Sequence, residues 1–443
     1  MKATRNKAET GMDQFIAGLS TPLNNTDDLD PLLEYIDDAR FVLLGESSHG
    51  THEYYTWRAK LTRRLILEKG FSLVAVDGDS ADCYLLNRYV KNYPDSGSSA
   101  VEVLQGFRHW PAWMWANWEM AAFAEWMKKH NAYRNADKRV GFYGLDVYSL
   151  WESLEVIRAW LKQHDPKSLE KTLKAMQCFE PYHSDSCFAY GHTTRVVPDR
   201  FEQEILNILM EKRTNNIRYY SDHENMFSTE QQAWIDANAE RYYRAMLRGG
   251  HQSWNIRDKQ MVASLNRLMD FHGSNSKVVI WAHNAHIGDA RATDMFREGL
   301  LNLGQMVTDQ HARDGVVLVG FGSYQGSVIT GKGWGDGMEK VIVPPAQTGS
   351  WEEMLHNSIR GNNQNMLLLL HQQHSRERLG MHLGQRSVGV VYDPASEKFS
   401  DYVPGILPMR YDAFIFLDQT KALYPLTMQT GSQTAPDDFP FGL

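Results

Sequence analysis

The sequence predicts an α/β protein: a mostly parallel central sheet flanked by helices, with a large helical insertion. Three observations predict it. Runs such as Phe41-Val-Leu-Leu44, Val278-Val-Ile-Trp281 and Phe414-Ile-Phe-Leu417 are apolar without alternation, the pattern of strands buried on both faces. Segments with apolar residues every three or four positions separate these runs. Residues 150–272 carry helical patterning and few strand signals. A chain of 443 residues is long for one core. The reading therefore divides it into a first part of the α/β core with N-terminal helices (1–149), a helical lobe (150–272) and a second part of the core (273–443).

Residues 1–40 read as one or two amphipathic helices, with Asp28, Asp30 and Pro31 as a start signal before Leu32, Leu33 and Ile36. After the first strand, Phe41–Gly45, a helix is predicted over Glu53–Lys69, where Trp57, Leu61 and Leu65 recur at helical spacing and Gly70 closes it. Ser72–Val76 is the second strand and ends in Asp77-Gly78-Asp79. A strand, helix, strand unit of this length makes the two strands parallel neighbours. A helix over Ala81–Val90 and a third strand over Arg139–Gly144 follow, the latter leading into Leu145-Asp146-Val147-Tyr148. The lobe is read as helices over Leu150–His164, Asp199–Tyr220 and Thr229–Arg248. Val278–Trp281 is the fourth strand and Gly315–Gly320 the fifth. Val388–Tyr392 and Phe414–Leu417 supply the last strands, and the tail from Thr427 reads as frayed. Gly320-Phe-Gly322-Ser-Tyr-Gln-Gly326 comes near a dinucleotide fingerprint. It is one residue too long and runs into Ser327–Thr330, a strand rather than the helix N-terminus a phosphate needs.

Composition narrows the function classes. With 42% hydrophobic and 23% charged residues the chain is globular, and a formal net charge of -8 gives no reason to expect nucleic acid or an anionic membrane as partner. Cys83, Cys178 and Cys187 include no C-x-x-C pair, so neither a zinc knuckle nor a redox dithiol is written; Cys178 and Cys187 could pair, but nothing requires it. No stretch approaches the ~18 apolar residues of a membrane helix. Met1–Leu19 lacks the pattern of a signal peptide. The expectation is a soluble, cytoplasmic protein with a small-molecule partner.

Chemistry gathers where the strands end: Glu46 and His49, Asp77 and Asp79, Asp146, then His283 and His286. In open α/β sheets ligands lie beyond the carboxyl ends of the strands, so these groups share one crevice. Three chemistries could use them. A neutral His49, held by Glu46 or Asp77, could take a proton from water, with Arg58 placed to steady an oxyanion. Glu46, His49, His283 and His286 could ligate a metal, although His-Glu-x-x-His is absent: His52-Glu53 is followed by Thr56. Gly45-Glu-Ser47-Ser-His49 is close to the Gly-x-Ser-x-Gly elbow, which would make Ser47 or Ser48 a nucleophile. The tryptophans 110, 113, 115 and 118 are either a packing belt between layers or a wall for a large, partly apolar ligand.

These residues resemble those of the erythromycin esterases and their relatives assigned to succinoglycan biosynthesis. The resemblance rests on Leu44-Gly-Glu-Ser-Ser-His-Gly50, Trp57-Arg58-Ala59, Asn87-Arg88-Tyr89-Val90, Trp113-Met-Trp-Ala-Asn-Trp-Glu119, Gly141-Phe-Tyr-Gly-Leu-Asp-Val-Tyr-Ser149, Ser253-Trp-Asn255, Trp281-Ala-His-Asn-Ala-His286, Leu303-Gly-Gln305, Val343-Pro-Pro345 and Asp412-Ala-Phe414. It implies hydrolysis of a macrolide's lactone ester, inactivating the antibiotic, without a cofactor or required metal. The family's base histidine falls on His49, its acidic partner on Glu46, its arginine on Arg58 and its later histidine on His286. Asp77 stands where the family usually has glutamate, a reach shorter by roughly an ångström. The expectation is that His49 activates water and Glu46 orients it. Arg58 and His286 polarise the carbonyl or steady the oxyanion, and Asp77 positions the set. His283, Trp110, Trp113, Trp115, Glu119, Asp146 and Tyr148 are expected around the substrate. Hydrolysis or transfer on another ester or a polysaccharide precursor, and ligand or metal binding without turnover, stay open.

Overall fold

The computed structural model describes residues 2–107, 110–146, 161–163, 165–167, 203–208, 223–248, 251–333, 337–359, 364–426 and 435–443. Most of the expected lobe, including the helices expected over Leu150–His164 and Asp199–Tyr220, lies largely outside these residues, as does Tyr148.

The chain opens with helix α1 (Lys2–Leu19), strand β1 (Ser20–Pro22) and helix α2 (Asp30–Ile36), whose Pro31 sits where no helical N–H is needed. Strand β2 (Phe41–Leu44) runs into helix α3 (His52–Glu68), and Gly70 follows with φ +73°, a turn conformation that suits glycine. Strand β3 (Leu73–Asp79) is longer than expected, and Asp79 caps helix α4 (Ser80–Val90) by accepting from the N–H groups of Ala81 and Asp82. Helices α5 (Ala100–Gln105) and α6 (Trp118–Asn131) precede strand β4 (Gly141–Asp146). Helices α7 (His223–Arg248) and α8 (His251–His272) then lead to strand β5 (Val278–Trp281) and the short helix α9 (Asn284–Ile287). Helix α10 (Leu303–His311), strand β6 (Val316–Gly331), strand β7 (Met338–Val343), helix α11 (Trp351–Ile359) and strands β8 (Met366–Leu369), β9 (Leu383–Arg386), β10 (Tyr402–Gly405) and β11 (Ala413–Gln419) follow, with short helices between some of them.

The main sheet has nine strands in the order β1-β8-β11-β6-β2-β5-β3-β4, with β7 paired to the far half of β6. The pairings from β11 to β4 are parallel, and those of β8 with β1 and β11, and of β7 with β6, are antiparallel. Three expectations need correction. β2 and β3 are parallel but not neighbours, because the wholly apolar β5 lies between them. Val388–Tyr392 is not a strand: Val388 and Val391 form single bridges to Ser48 and Gly331, and the regular strands nearby are β9 and β10. The tail is not uniformly frayed either. Residues 435–443 pack back on the molecule, with Phe441 against His52 and Tyr424, and Phe439 against Trp118.

The sheet is covered on both sides, which is why its strands lack alternation. Val42, Leu44, Val279 and Trp281 join the core shared with Tyr54, Leu61 and Leu65 of α3 and Phe123 of α6. Phe41, Leu43, Val278 and Ile280 face the opposite core, with Met261, Leu265 and Leu268 of α8 and Trp351 of α11. Burying each such side chain contributes about 1.5–3 kcal/mol. The result is a rigid platform on which β2, β5, β3 and β4 lie in sequence and end along one rim.

Candidate active site

Glu46 follows β2 by two residues and is fully buried. One of its oxygens lies 2.9 Å from Nδ1 of His49, and the other accepts from Nη2 of Arg58 at 2.6 Å. Arg58 stands on the second turn of α3, itself fully buried, with its guanidinium 4.5 Å from the ring centre of Tyr55 and 4.9 Å from that of Trp281. Cation–π contact on two rings offsets part of the loss of water around the charge. A carboxylate can only accept, so the proton of His49 is on Nδ1 and Nε2 is the nitrogen able to take another.

His283 ends β5 and caps α9. Its Nδ1 accepts the Ala285 N–H at 3.2 Å, which places the ring proton on Nε2, and its own backbone N–H donates to Oδ2 of Asp77 at 3.1 Å. The ring centre lies 4.9 Å from that of His49. Burial drives the His283 pKa well below its ordinary 6.5, and His49, His286 and Arg410 push the same way. The ring is therefore neutral. Its Nε2 is buried and makes no well-formed hydrogen bond among the described residues, the Ser47 backbone being the acceptor near it. A buried donor without a well-formed bond is uncommon, and here a reacting oxygen would satisfy it.

Asp77 holds the His283 backbone with one oxygen, while Oδ1 has no hydrogen-bond partner among the described residues. Burial raises its pKa, opposed by His49 and His286 and reinforced by Glu46. His286 is held from α8: its Nδ1 lies 2.9 and 3.0 Å from the two oxygens of Asp258, and its ring stacks on Trp254 at 4.4 Å with 5° between planes. Asp258 and Trp254 were not singled out as site residues in the sequence. Their signal is a carboxylate and an indole one turn apart on a helix whose following turns, Met261, Val262 and Leu265, are buried and apolar.

The other expected residues are distributed around this centre. Asp146 is paired to Arg257 at 2.8 Å, with Oδ1 unpartnered among the described residues, opposite Asp79 in the β3–β4 register. Trp113 and Trp115 are core residues; Trp115 lies over Gly78 and against Tyr55 and Phe142. Trp110 is half-buried and covers Gly331. Glu119 is drawn to a separate histidine, 2.6 Å from Nδ1 of His52, and also accepts from the Tyr424 N–H. The hydroxyls of Ser47 and Ser48 bond to Tyr54 and Thr51, not to an imidazole. Among the described residues no three His, Cys, Asp or Glu side chains converge as a metal-ligand set, and no helix is long and apolar enough to cross a membrane.

The model of the family described as erythromycin esterase matches residues 66–420, a span that begins downstream of Glu46, His49 and Arg58. An erythromycin esterase type II of Escherichia coli is 24% identical over 336 residues, which are 70% of this chain and 74% of the relative. Three solved structures share the fold, each match covering 94% of this chain and 99% of the other. A succinoglycan biosynthesis protein matches with a TM-score of 0.63 at 18% identity, and a Bacillus cereus protein with 0.66 at 17%. A mutant erythromycin esterase in its open conformation matches with 0.56 at 14%. On a match spanning well over half its length, the chain belongs to the erythromycin esterase family, a family of esterases.

Proposed function

We propose that the chain hydrolyses a carboxylic ester, the lactone of a macrolide antibiotic, with water activated at His49 and without a metal, and so inactivates the drug. The observation that carries this reading is the buried series Arg58, Glu46, His49, set beside the neutral N–H of His283. Glu46 fixes the tautomer of His49 and favours the imidazolium that forms when Nε2 takes a proton from water. The water oxygen adds to the carbonyl carbon, and the charge that grows on the carbonyl oxygen is met by Nε2–H of His283, a preorganised donor in a dry site. Arg58 is fully buried with its hydrogen bond on Glu46, and in this reading its part is to hold that carboxylate. Asp77 anchors the end of β5, and with it His283.

A second reading, hydrolysis or transfer on another ester or a polysaccharide precursor, draws on the likeness to the succinoglycan biosynthesis protein. Mass spectrometry of a fourteen-membered and a sixteen-membered macrolide, each incubated with chelator-treated protein, tests the first reading. A gain of one water in either drug, lost in His49→Ala with the fold intact by circular dichroism, is the expected result. Full turnover by His49→Ala would remove His49 from the chemistry. No change in either drug would move the assignment to the second reading.

A further inference from the structure

Resting on ester hydrolysis at this crevice, we infer that Asp258 is a positioning residue that makes His286 the proton donor to the departing alcohol. Asp258 is fully buried on α8, and both its oxygens lie within 3.0 Å of Nδ1 of His286. One of them also accepts the N–H of Leu303 at 2.8 Å, the first residue of α10, which fixes the carboxylate from a second element. Trp254, one turn earlier on α8, covers a face of the imidazole. The ring can neither rotate nor shed its Nδ1 proton to another tautomer, so Nε2 is its proton-exchanging atom.

This repeats, at His286, the pairing of an imidazole Nδ1 with a buried carboxylate seen in His49 and Glu46. His49 lies with its ring centre 4.9 Å from that of His283, and His283 caps the short helix α9 that carries His286, so both imidazoles belong to the same rim. An alkoxide is a poor leaving group, and its departure needs a proton at the moment the bond breaks. His49 Nε2 takes a proton from water as the water oxygen bonds to the carbonyl carbon. When the tetrahedral intermediate collapses, the electron pair of the breaking C–O bond goes to the alcohol oxygen, which takes the Nε2 proton of a His286 protonated on both nitrogens and leaves it as the neutral Nδ1–H ring facing Asp258. The acid and alcohol together account for ester plus water, and the proton gained by His49 returns to His286 through solvent as product leaves.

Two measurements test this. Ethyl butyrate and 4-nitrophenyl butyrate share an acyl group, but only the first needs its leaving oxygen protonated, since nitrophenolate departs as the anion. Asp258→Asn, which presents an amide N–H to His286 and so favours the wrong tautomer, is expected to lower kcat on ethyl butyrate by about 100-fold or more and on the nitrophenyl ester by less than about threefold. Asp258→Glu is expected to recover part of the loss on the ethyl ester. Equal losses on both esters, or none on either, would overturn the role of Asp258. Native protein that cleaves the nitrophenyl ester but not the ethyl ester would leave ester hydrolysis standing and overturn proton delivery; failure on every ester, macrolides included, would remove the hydrolase reading and proton delivery together. Nitrogen-15 NMR of histidine-labelled protein reads the positioning without substrate. In its neutral form, read above the ring's titration, His286 is expected to carry its proton on Nδ1 in the native protein and to lose that preference in Asp258→Asn, and a native Nε2–H tautomer would overturn the assignment.

Discussion

Arg58 has its charge fully buried, and its hydrogen bond to Glu46 holds the carboxylate that orients His49. Arg58→Met keeps much of the volume between Tyr55 and Trp281 but strands the Glu46 carboxylate, a change expected to destabilise the fold by about 3–5 kcal/mol. Urea denaturation measures it, and a midpoint unchanged from native would show that the pair is not what holds Glu46 in place. His283 gives a prediction in pH. Its folded pKa lies far below the 6.5 of the free side chain. Between the two values the unfolded chain binds a proton that the fold refuses, so the contribution is full above about pH 6.5 and is lost as pH falls. Asp77, raised in the fold, has the opposite sign and loses its contribution as pH rises. Native protein should therefore lose more stability than His283→Gln between about pH 7.5 and about pH 5.5, and equal losses would mean that His283 is not held neutral. Glu46, His49 and Arg58 were legible in the sequence because one strand, turn and helix carry all three. Asp258 was not, because its partner comes from another element and nothing local marks the carboxylate.

The turn from β2 into α3 shows how tightly the elements meet. A Cβ on Gly45 would stand 2.0 Å from Oδ1 of Asn284, the side chain that donates to the Phe321 carbonyl at 2.6 Å and so ties β2, α9 and β6 together. Gly45→Ala should force Asn284 out, leave backbone groups of Phe321 unpaired and lower stability by about 1–3 kcal/mol, with activity falling because Glu46 is the next residue. Gly18 is the contrast, since a Cβ there meets nothing within 4 Å in the last turn of α1. Gly18→Ala should raise stability by about 0.5–1 kcal/mol. Thermal melts of both variants decide it, and a neutral Gly45→Ala would mean the strand ends are looser than their contacts imply. The strands that could be read in advance, β2, β3, β4, β5, β11 and the first part of β6, are those whose side chains fill both cores. β8 escaped notice because Met366-Leu-Leu-Leu369 lacks β-branched residues and belongs by composition to a helix as readily as to a strand. β7, β9 and β10 pair antiparallel in short hairpin-like contacts, where no continuous apolar run announces them.

At the scale of the molecule, the sequence announced the fold class but not the order of the strands, since apolar runs give no sign of which run lies beside which. That order decides how the chain can come apart. β2 pairs only with β5 and β6, both from beyond residue 272, whereas β3 and β4 pair with each other. α8, although inside the span expected to form a separate lobe, packs Met261, Leu265 and Leu268 on the sheet and supplies Asp258 to the site. A fragment of residues 1–149 would thus keep the β3–β4 pair but leave β2 without a hydrogen-bonding neighbour, and would expose Arg58 where Trp281 now covers it. Such a pair of strands is too small a core to fold alone. Expressed by itself, the fragment should show no cooperative melt and little near-ultraviolet circular dichroism, and mixing with residues 150–443 should restore both together with activity. A sharp melting transition in the fragment alone would mean that the first half of the sheet carries its own stability, and that the strands closing over β2 complete the site without being needed to form it.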